Sequence, residues 1–342
     1  RLSLLPARVR EPSTPVHDDF SGIDVPKEPT EAYVWTCLPG ATTPVMAGRL
    51  ESLGSVVMFN YGRAYLERQD AVSLYFPELP LLTQRADVSG PEPVRPPWTS
   101  RPRLPTASRP GSRCHPRWTS PSCTAPASAA HAAAMALAAR VGVDVARTQV
   151  TRALGRDALL VEQFDRAGVI GQRRMMVSAL TMLGLDSMQF RYATYHDLAD
   201  VIRARFINPD ATLRELFARI VFNICVGNTD DHARNHAAFW DGERLSLTPA
   251  YDLCPQVRSG GTATQGMAIS PDGFRRSQLA GTVRAHATYH LTRDQAQDIV
   301  DATLATIRAE WEEVDDQVGL TKVERAWMWG RQILNDYIFH DG

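Results

Sequence analysis

The sequence is unusually poor in lysine and cysteine. Of its 37 basic residues, all except Lys27 and Lys322 are arginine, and its five cysteines contain no C-x-x-C pair. An odd number of widely spaced cysteines argues against both a disulfide framework and a structural zinc site. No apolar run approaches the roughly 20 residues that a membrane span requires, and the first residues lack the apolar segment of a signal peptide. We therefore expect a cytoplasmic protein without a membrane partner.

Strong charge of either sign is also missing. The 342 residues carry a formal net charge of -1, which provides no electrostatic reason for nucleic acid or an anionic membrane as the main partner. The hydrophobic content of 44% and the charged content of 22% are those of a globular chain. At a prior of roughly 150 residues for each domain, this length predicts one large domain or two to three smaller ones.

Changes in composition divide the chain into four parts. Residues 1–31 are polar and punctuated by proline, so we expect a loosely ordered leader. Residues 32–83 contain short β-type runs separated by turn residues and predict a small β-rich domain. Residues 84–130 form an aberrant segment rich in proline and arginine. Residues 131–342 are mainly helical after an initial helix and a strand.

Local signals place the elements more closely. The runs Tyr33–Trp35 and Ser55–Phe59 predict strands of the N-terminal domain, and Ala158–Phe164 predicts a later strand. Residues 131–140 predict a helix that leads to this strand. The last part of the chain is predicted to be a helical bundle.

Three threonines predict helix starts in the C-terminal part. Thr212 with Glu215 forms the Thr-x-x-Glu pattern of a capping box, and that helix is expected to end at Gly227. Its apolar residues recur every three or four positions, as on the buried face of a helix. The same signal recurs at two later starts, Thr292 with Gln295 and Thr321 with Glu324.

A polar acidic loop follows the Thr212 helix. Asp230 and Asn235 stand in the pattern D-x-x-x-x-N, and Asp252 follows one predicted hairpin later. Phosphoryl transfer from ATP requires a carboxylate that accepts the proton of the nucleophile and two further oxygen ligands for magnesium. In protein kinases the first carboxylate and an asparagine have this spacing, and a later aspartate completes the metal site. The order of helix, loop, hairpin and aspartate is that of a kinase C-terminal lobe.

Two histidines in the same loop suggest an alternative. His232 and His236 are four residues apart, so both could lie on one face of a helix and bind a metal. The glutamate of the H-E-x-x-H motif is absent, because Ala233 follows His232. A zinc hydrolase is therefore the weaker interpretation.

The sequence resembles the HipA-type serine/threonine kinases, the toxins of bacterial type II toxin–antitoxin modules. The small N-terminal domain, with Phe59-x-Tyr61 and Leu79-Pro80, is similar to the leading domain of that family. Four further stretches carry the resemblance: Phe222–Asn235, Leu247–Leu253, Glu162–Arg166 and Ala132–Val143.

The resemblance implies a bilobal, protein-kinase-like α+β fold with a β-rich N-terminal part and a mainly helical C-terminal lobe. Asp230 would be the catalytic base, and Asn235 and Asp252 would hold Mg²⁺. ATP would be bound by Glu162, Gln163, Phe164, His232, Ala233, Arg234, Asn235, Tyr251, Asp252, Leu253 and Cys254.

The resemblance also implies the reaction partners. The γ-phosphate would pass to a serine or threonine hydroxyl of a protein, for which an aminoacyl-tRNA synthetase is the family's best-known example. A small helix-turn-helix antitoxin would be the binding partner, and operator DNA would be contacted only through the antitoxin complex.

The chain departs from the family pattern between residues 91 and 130. Family members carry there a glycine-containing phosphate loop and a strand with a lysine that reaches the ATP phosphates, followed by a helix glutamate. Here ten of the 23 prolines fall between Pro91 and Pro126, no lysine is present, and His131 stands near the glutamate position. We hypothesise two compensating frameshifts, from gene decay or a sequencing error. Resequencing tests this, because the hypothesis fails if no shifted frame restores a strand with a lysine.

Two alternatives to an active protein kinase remain open at this point. The missing lysine favours a catalytically inactive HipA-like protein that retains only the binding of antitoxin and DNA partners. The pattern D-x-H-x-x-N, formed by Asp230, His232 and Asn235, also occurs in phosphoinositide-type lipid kinases. No amphipathic basic stretch for a membrane surface accompanies it. ATP binding separates the first alternative from an active kinase, and vesicle binding tests the second.

Overall fold

The structure is a computed structural model. It describes residues 31–53, 56–74, 79–81, 86–87, 118–119, 125–153, 156–166, 172–185, 189–257 and 261–341. Residues 1–30 of the predicted leader and most of the segment rich in proline and arginine lie outside the described residues, and so does Lys27.

An antiparallel sheet of four strands opens the described chain. Its strands, in the order β1-β2-β3-β4, are β1 (Glu31–Thr36), β2 (Val45–Leu53), β3 (Val56–Tyr61) and β4 (Ala86–Asp87). Alternate side chains such as Val34, Phe59 and Tyr61 point into a small core, as the period of two requires. The short helix α1 (Arg63–Leu66) covers this core with Tyr65. The two strands predicted for this domain are present.

A second sheet and a long helix follow. The strands β5 (Trp118–Thr119), β6 (Thr148–Ala153) and β7 (Arg156–Glu162) are antiparallel in the order β5-β7-β6, and α2 (Ala125–Val141) packs against them. The predicted helix over residues 131–140 is present but begins six residues earlier, because the alanine-rich sequence before His131 continues to favour helix. The predicted strand ends at Glu162 rather than Phe164, where a 3-10 turn begins.

The main core is built around α5 (Pro209–Val226). The apolar residues that recur every three or four positions along it are all buried: Leu213, Leu216, Phe217, Ile220, Val221 and Ile224. The helix ends at Gly227, as predicted. The predicted start was wrong. The N-cap is Asn208, since Pro209 suits the first helical turn, and Thr212 lies inside the helix with its hydroxyl donating to the Asn208 carbonyl at 2.7 Å. The helix α4 (Tyr195–Arg205) packs beside α5, and the short helix α3 (Ala179–Met182) packs against α4.

A third sheet carries the loop after α5. Its strands β8 (Met175–Ser178), β9 (Ala237–Trp240) and β10 (Leu245–Leu247) are antiparallel in the order β10-β9-β8. The β9–β10 hairpin is the predicted one, and Asp241 Oδ1 accepts two backbone N–H groups of its turn. The indole N–H of Trp240 donates to the Ser73 carbonyl at 2.8 Å, which joins this sheet to the N-terminal domain.

Three helices close the chain: α6 (Leu279–Arg284), α7 (Arg293–Val318) and α8 (Lys322–Met328). Two of the three predicted capping boxes are present, with Thr292 bonded reciprocally to Gln295 and Thr321 to Glu324, whereas the one predicted at Thr212 is not formed. α7 packs against α2 and α5, so the helical part forms one core, as predicted. None of the helices in the described ranges is long and apolar enough to cross a membrane.

Candidate active site

The polar loop begins where α5 is forced to stop. Gly227 has a φ of 71°, which is the left-handed conformation that glycine adopts at helix ends. A Cβ at this position would lie 2.6 Å from the backbone oxygen of Gln332, so any side chain would clash with the C-terminal part of the chain. The chain therefore leaves α5 at a fixed angle, which sets the position of the residues that follow.

A buried carboxylate anchors this loop. Asp231 is 1% exposed, and its Oδ2 accepts hydrogen bonds from the Tyr195 hydroxyl (2.5 Å), Asn223 Nδ2 (2.9 Å) and His236 Nε2 (2.8 Å). Burial by itself raises the pKa of the Asp231 carboxyl, but the attraction of His236 and the hydrogen bonds from His236 and Tyr195 outweigh burial, so the pKa is lowered. Asp231 is thus an ionised acceptor at the centre of the loop.

The predicted base, Asp230, is exposed, whereas its neighbour Asp231 is buried. Within the described parts of the chain no hydrogen bond or salt bridge engages the Asp230 carboxylate. The spacing to Asn235 indicated Asp230 as the base, and no sequence pattern indicated a role for Asp231. The adjacent acidic pair was the available signal, because two neighbouring carboxylates in a tight loop cannot face the same environment.

The two predicted metal ligands lie in segments that the structure connects. The Tyr251 hydroxyl donates to the Arg234 carbonyl at 2.7 Å, which ties the residue before Asp252 to the residue before Asn235. Asp252 has a φ of 60°, a left-handed conformation that is uncommon for a residue other than glycine and recurs at functional sites. In the part of the chain that the structure describes, neither the side-chain carboxamide of Asn235 nor the Asp252 carboxylate has a hydrogen-bond partner.

The side-chain chemistry of Asn235 and Asp252 suits magnesium. Mg²⁺ prefers carboxylate and carbonyl-type oxygen ligands and is usually held by one or two protein groups with phosphates and water in the other positions. Asn235 and Asp252 supply such oxygens without competition from described neighbours. No cluster of three or more histidine, cysteine, aspartate or glutamate side chains suited to a metal occurs among the described residues.

The zinc alternative is not supported by the geometry of the two histidines. His236 Nε2 is committed to Asp231 inside the core. The His232 ring instead packs edge-on against Phe190, with ring centroids 6.2 Å apart.

A buried arginine supports the Asp252 segment. Arg219 of α5 is 1% exposed, and its Nη2 donates to the carbonyls of Thr248 (2.9 Å) and Asp144 (3.2 Å), while Nε donates to Glu215 (2.8 Å). The Ala250 N–H donates to the same Asp144 carbonyl at 2.7 Å. The chain that leads to Asp252 is therefore docked on the loop after α2.

An aromatic cluster lies where the adenine was predicted. The ring of Phe164 packs against Phe239 (centroids 6.0 Å apart) and Tyr251 (5.7 Å apart), and the Arg174 guanidinium lies 3.2 Å above the centre of the Phe239 ring. Such rings offer flat apolar surfaces for a planar base. Burial lowers the pKa of Arg174.

The remaining predicted ATP contacts differ in what they can present to a ligand. Ala233 and Leu253 are core side chains, 0% and 3% exposed, so only their backbone can face a ligand. The Cys254 thiol is half-buried beside the Pro255 carbonyl. Glu162 is buried at the end of β7, and the Gln163 side-chain oxygen is buried without a hydrogen-bond partner in the described ranges.

His131 occupies the inner face of α2. It is 1% exposed, and neither ring nitrogen has a hydrogen-bond partner among the residues described. Burial lowers the pKa of His131, and the charge of Asp252 opposes this effect only in part. A neutral imidazole therefore stands near the position where the family resemblance implies a glutamate.

Comparison with known proteins identifies the family. The sequence pattern of the HipA-like C-terminal domain matches residues 124–311, which is more than half of the 342-residue chain. This chain belongs to the HipA-like C-terminal domain family. The matched range contains the polar loop, the aromatic cluster and Asp252, so the predicted resemblance is confirmed for the part of the chain that carries the site.

Two curated proteins resemble this HipA-like chain in sequence. The protein named "Putative kinase Y4mE" from Sinorhizobium fredii is 31% identical over 131 residues, which are 36% of this chain and 31% of that protein. The serine/threonine-protein kinase toxin HipA of Shewanella oneidensis is 28% identical over 137 residues, or 35% of this chain and 32% of the toxin. The matched segments thus span about a third of the length of these relatives.

A solved structure shares the fold of this HipA-like chain. In the complex of Shewanella oneidensis HipA, HipB and operator DNA, one chain superposes with a TM-score of 0.59 at 15% identity, covering 84% of this chain and 93% of that one. The predicted kinase-like α+β fold is confirmed by this similarity.

Proposed function

We propose that this chain is a serine/threonine protein kinase of HipA type and the toxin component of a toxin–antitoxin module. The arrangement around Asp230 supports the proposal most strongly. An exposed carboxylate without a partner in the described chain lies in the same loop as Asn235, and the Tyr251–Arg234 hydrogen bond ties the segment of Asp252 to that loop. This is the set of groups that transfer of a phosphoryl group from ATP requires.

The proposed reaction moves one proton and one phosphoryl group. The hydroxyl oxygen of a serine or threonine forms a bond to the γ-phosphorus of ATP. The bond between that phosphorus and the oxygen bridging to the β-phosphate breaks, and ADP leaves. Asp230 accepts the hydroxyl proton, which its exposure and its lack of a described partner allow.

ATP would be bound between the aromatic cluster and the polar loop. The half-buried rings of Phe164 and Tyr251 would face the base, backed by Phe239 and next to the backbone of Glu162 and Gln163. Mg²⁺ bound to the phosphates would neutralise the charge that develops in the transition state. Asn235 and Asp252 would hold this ion.

The expected partners follow from the relatives. The solved HipA structure contains HipB and operator DNA, so we propose a helix-turn-helix antitoxin as partner of this chain and DNA contact through that antitoxin. The chain itself, with its net charge of -1, provides no electrostatic basis for binding DNA alone. An aminoacyl-tRNA synthetase is the protein substrate that the resemblance implies, and we place the protein in the cytoplasm.

One observation favours a second function, that of an inactive HipA-like protein that binds only its partners. Lysine is restricted to Lys27 and Lys322, and Lys322 lies in α8, far along the chain from the N-terminal strands. Arginine is a poor substitute at a phosphate, because its planar fork differs from the compact charge of lysine. In addition, a neutral His131 cannot replace the helix glutamate that would pair with the lysine.

Transfer of labelled phosphate separates the two functions. The purified chain is incubated with γ-labelled ATP, Mg²⁺ and a cell extract, and labelled protein is quantified. Asp230→Asn should reduce the rate by about 10²- to 10⁴-fold, the usual contribution of a positioned base. Asp298→Asn is the matched control, because Asp298 is an exposed aspartate of α7 outside the site. A wild-type chain without transfer, or equal rates in both variants, would refute the kinase proposal.

A further inference from the structure

The side chain of Asn223 holds the loop at two points. Asn223 lies in the last turn of α5, is 0% exposed, and uses both ends of its carboxamide. Its Nδ2 donates to Asp231 Oδ2 at 2.9 Å, and its Oδ1 accepts from Asn228 Nδ2 at 3.0 Å. The Asn223 carbonyl also accepts the Asn228 N–H at 2.9 Å. A single helical residue therefore bonds to both sides of the Thr229–Asp230 pair.

The two bonded residues are buried, whereas Asp230 between them is exposed. Asn228 and Asp231 are each 1% exposed. With its flanking residues drawn into the core, the backbone of Asp230 can only bulge outward, and its carboxylate faces solvent. The length of the Asn223 carboxamide thus limits how far this backbone can move.

The other side of the loop is closed as well. A Cβ at Gly266 would lie 2.5 Å from the Asp231 carbonyl oxygen, so the backbone of residue 266 packs directly on the loop. Tyr195 and His236 bind the same carboxylate oxygen as Asn223 but do not contact Asn228 in any described hydrogen bond. Asn223 is the residue whose side chain links both flanks of Asp230.

We propose that Asn223 is a positioning residue that sets the location of the Asp230 carboxylate for phosphoryl transfer. This inference depends on the proposed kinase function for its kinetic consequence, but its structural part stands on the hydrogen bonds alone. An amide is required, because one side must donate to a carboxylate and the other must accept from an amide. Aspartate has the same shape, yet it offers no donor and places a second carboxylate against Asp231.

A residue that only stabilises the core would behave differently from a positioning residue. Loss of core stability lowers the amount of folded protein and leaves the kinetics of the folded fraction unchanged. Loss of positioning lowers kcat while the KM for ATP stays nearly constant, because Asn223 contacts no group that binds the nucleotide. It also increases amide hydrogen exchange in residues 228–231, between its two bonded partners, more than elsewhere.

The test compares three variants of the full chain. Asn223→Asp removes the donor, and Asn228→Ala removes the second bond while leaving the Asn223–Asp231 bond in place. Leu213→Ala is the control, because Leu213 is a fully buried residue at the other end of α5 and its truncation destabilises the same helix. The kcat, the KM for ATP, the urea midpoint and hydrogen exchange are measured for each.

We expect Asn223→Asp to lower kcat by about 10- to 100-fold with the KM for ATP within about threefold, consistent with the effect of a misplaced catalytic group. Asn228→Ala should show a smaller decrease of the same kind and tests the inference if Asn223→Asp does not fold. Leu213→Ala should lower the urea midpoint without changing kcat or the exchange of residues 228–231. A kcat within twofold of wild type in both loop variants would overturn the inference.

The exchange measurement distinguishes failure of this inference from failure of the proposed function. If wild-type protein transfers no phosphate, the kinase proposal fails, and exchange alone tests the hold of Asn223 on the loop. Faster exchange confined to residues 228–231 in Asn223→Asp would support the role of Asn223 in holding the loop. Unchanged exchange there, or an increase equal to that in Leu213→Ala, would overturn it.

Discussion

Replacement of Arg219 by methionine tests how the buried arginine supports the site. Methionine keeps the length and the apolar contacts of the stem but removes the guanidinium. Arg219 makes three hydrogen bonds, to Glu215, Thr248 and Asp144. The Asp144 carbonyl keeps its bond from the Ala250 N–H, and Glu215, whose side chain is 24% exposed, can be rehydrated. The buried Thr248 carbonyl loses the partner that Arg219 provides.

These contacts set the expected magnitude. An unpaired buried acceptor costs about 1–3 kcal/mol, whereas the larger cost of about 3–5 kcal/mol for breaking a buried ion pair arises when the remaining charge stays buried. Because Glu215 can be rehydrated and the Thr248 carbonyl cannot, we expect Arg219→Met to lower the free energy of unfolding by about 1–3 kcal/mol. This is a large fraction of the roughly 5–15 kcal/mol that stabilises a typical domain, so Arg219→Lys is useful as a milder variant.

Urea unfolding followed by fluorescence measures this loss. Arg284→Met is the control, because Arg284 pairs with Asp341 at the surface, where their side chains are 54% and 82% exposed. Such a pair contributes about 0–1 kcal/mol. If Arg219→Met lost less than about 1 kcal/mol, or no more than Arg284→Met, Arg219 would not support the Asp252 segment as described.

Three other perturbations have defined outcomes. Thr292→Ala should lower the free energy of unfolding by about 1 kcal/mol, measured by thermal unfolding, because it removes an N-cap. Thr212→Ala should change it by no more than about 0.5 kcal/mol, because Thr212 caps no helix. Equal losses in the two variants would contradict the assignment of Thr292 as an N-cap. Gly266→Ala should speed hydrogen exchange in residues 228–236, and unchanged exchange would show that the loop tolerates a Cβ there. His131→Leu should reduce the loss of stability at acid pH. The buried imidazole has a lowered pKa, so wild type loses stability as the pH falls below about 6.5, where only the unfolded chain gains this proton. Urea midpoints between pH 5 and 7.5 that fall equally in both proteins would refute this.

Local patterns in the sequence predicted much of the helical part. The apolar stripe of α5, its end at Gly227 and the capping boxes at Thr292 and Thr321 depend on residues within one or two turns, and all are present. The start of α5 was misplaced because Thr212 and Glu215 fit the same local pattern. Pro209, three residues earlier, provided the stronger start.

The supports of the site could not be predicted in this way. Tyr195 and Asp231 are 36 residues apart in sequence, and Arg219 and Asp144 are 75 apart. Hydrogen bonds of this range depend on how helices pack, which no spacing rule encodes. The spacing of Asp230 to Asn235 identified the loop, but burial alone separates the roles of Asp230 and Asp231.

The left-handed conformation of Asp252 was also not predicted from the sequence. A residue other than glycine adopts it only when its surroundings compensate for the strain, of order 1–3 kcal/mol. The flanking chain provides this support through the backbone bonds of Ala250 and the hydroxyl of Tyr251.

Calorimetric titration of the purified chain with ATP in the presence of Mg²⁺ tests the central claim most directly. Asp252→Ala removes a proposed metal ligand, and Asp298→Asn serves as the surface control. We predict binding that requires Mg²⁺, is lost in Asp252→Ala and is unchanged in Asp298→Asn. A folded wild-type chain that binds no ATP, or binds it equally well after loss of Asp252, would contradict the assignment of this loop as a kinase site.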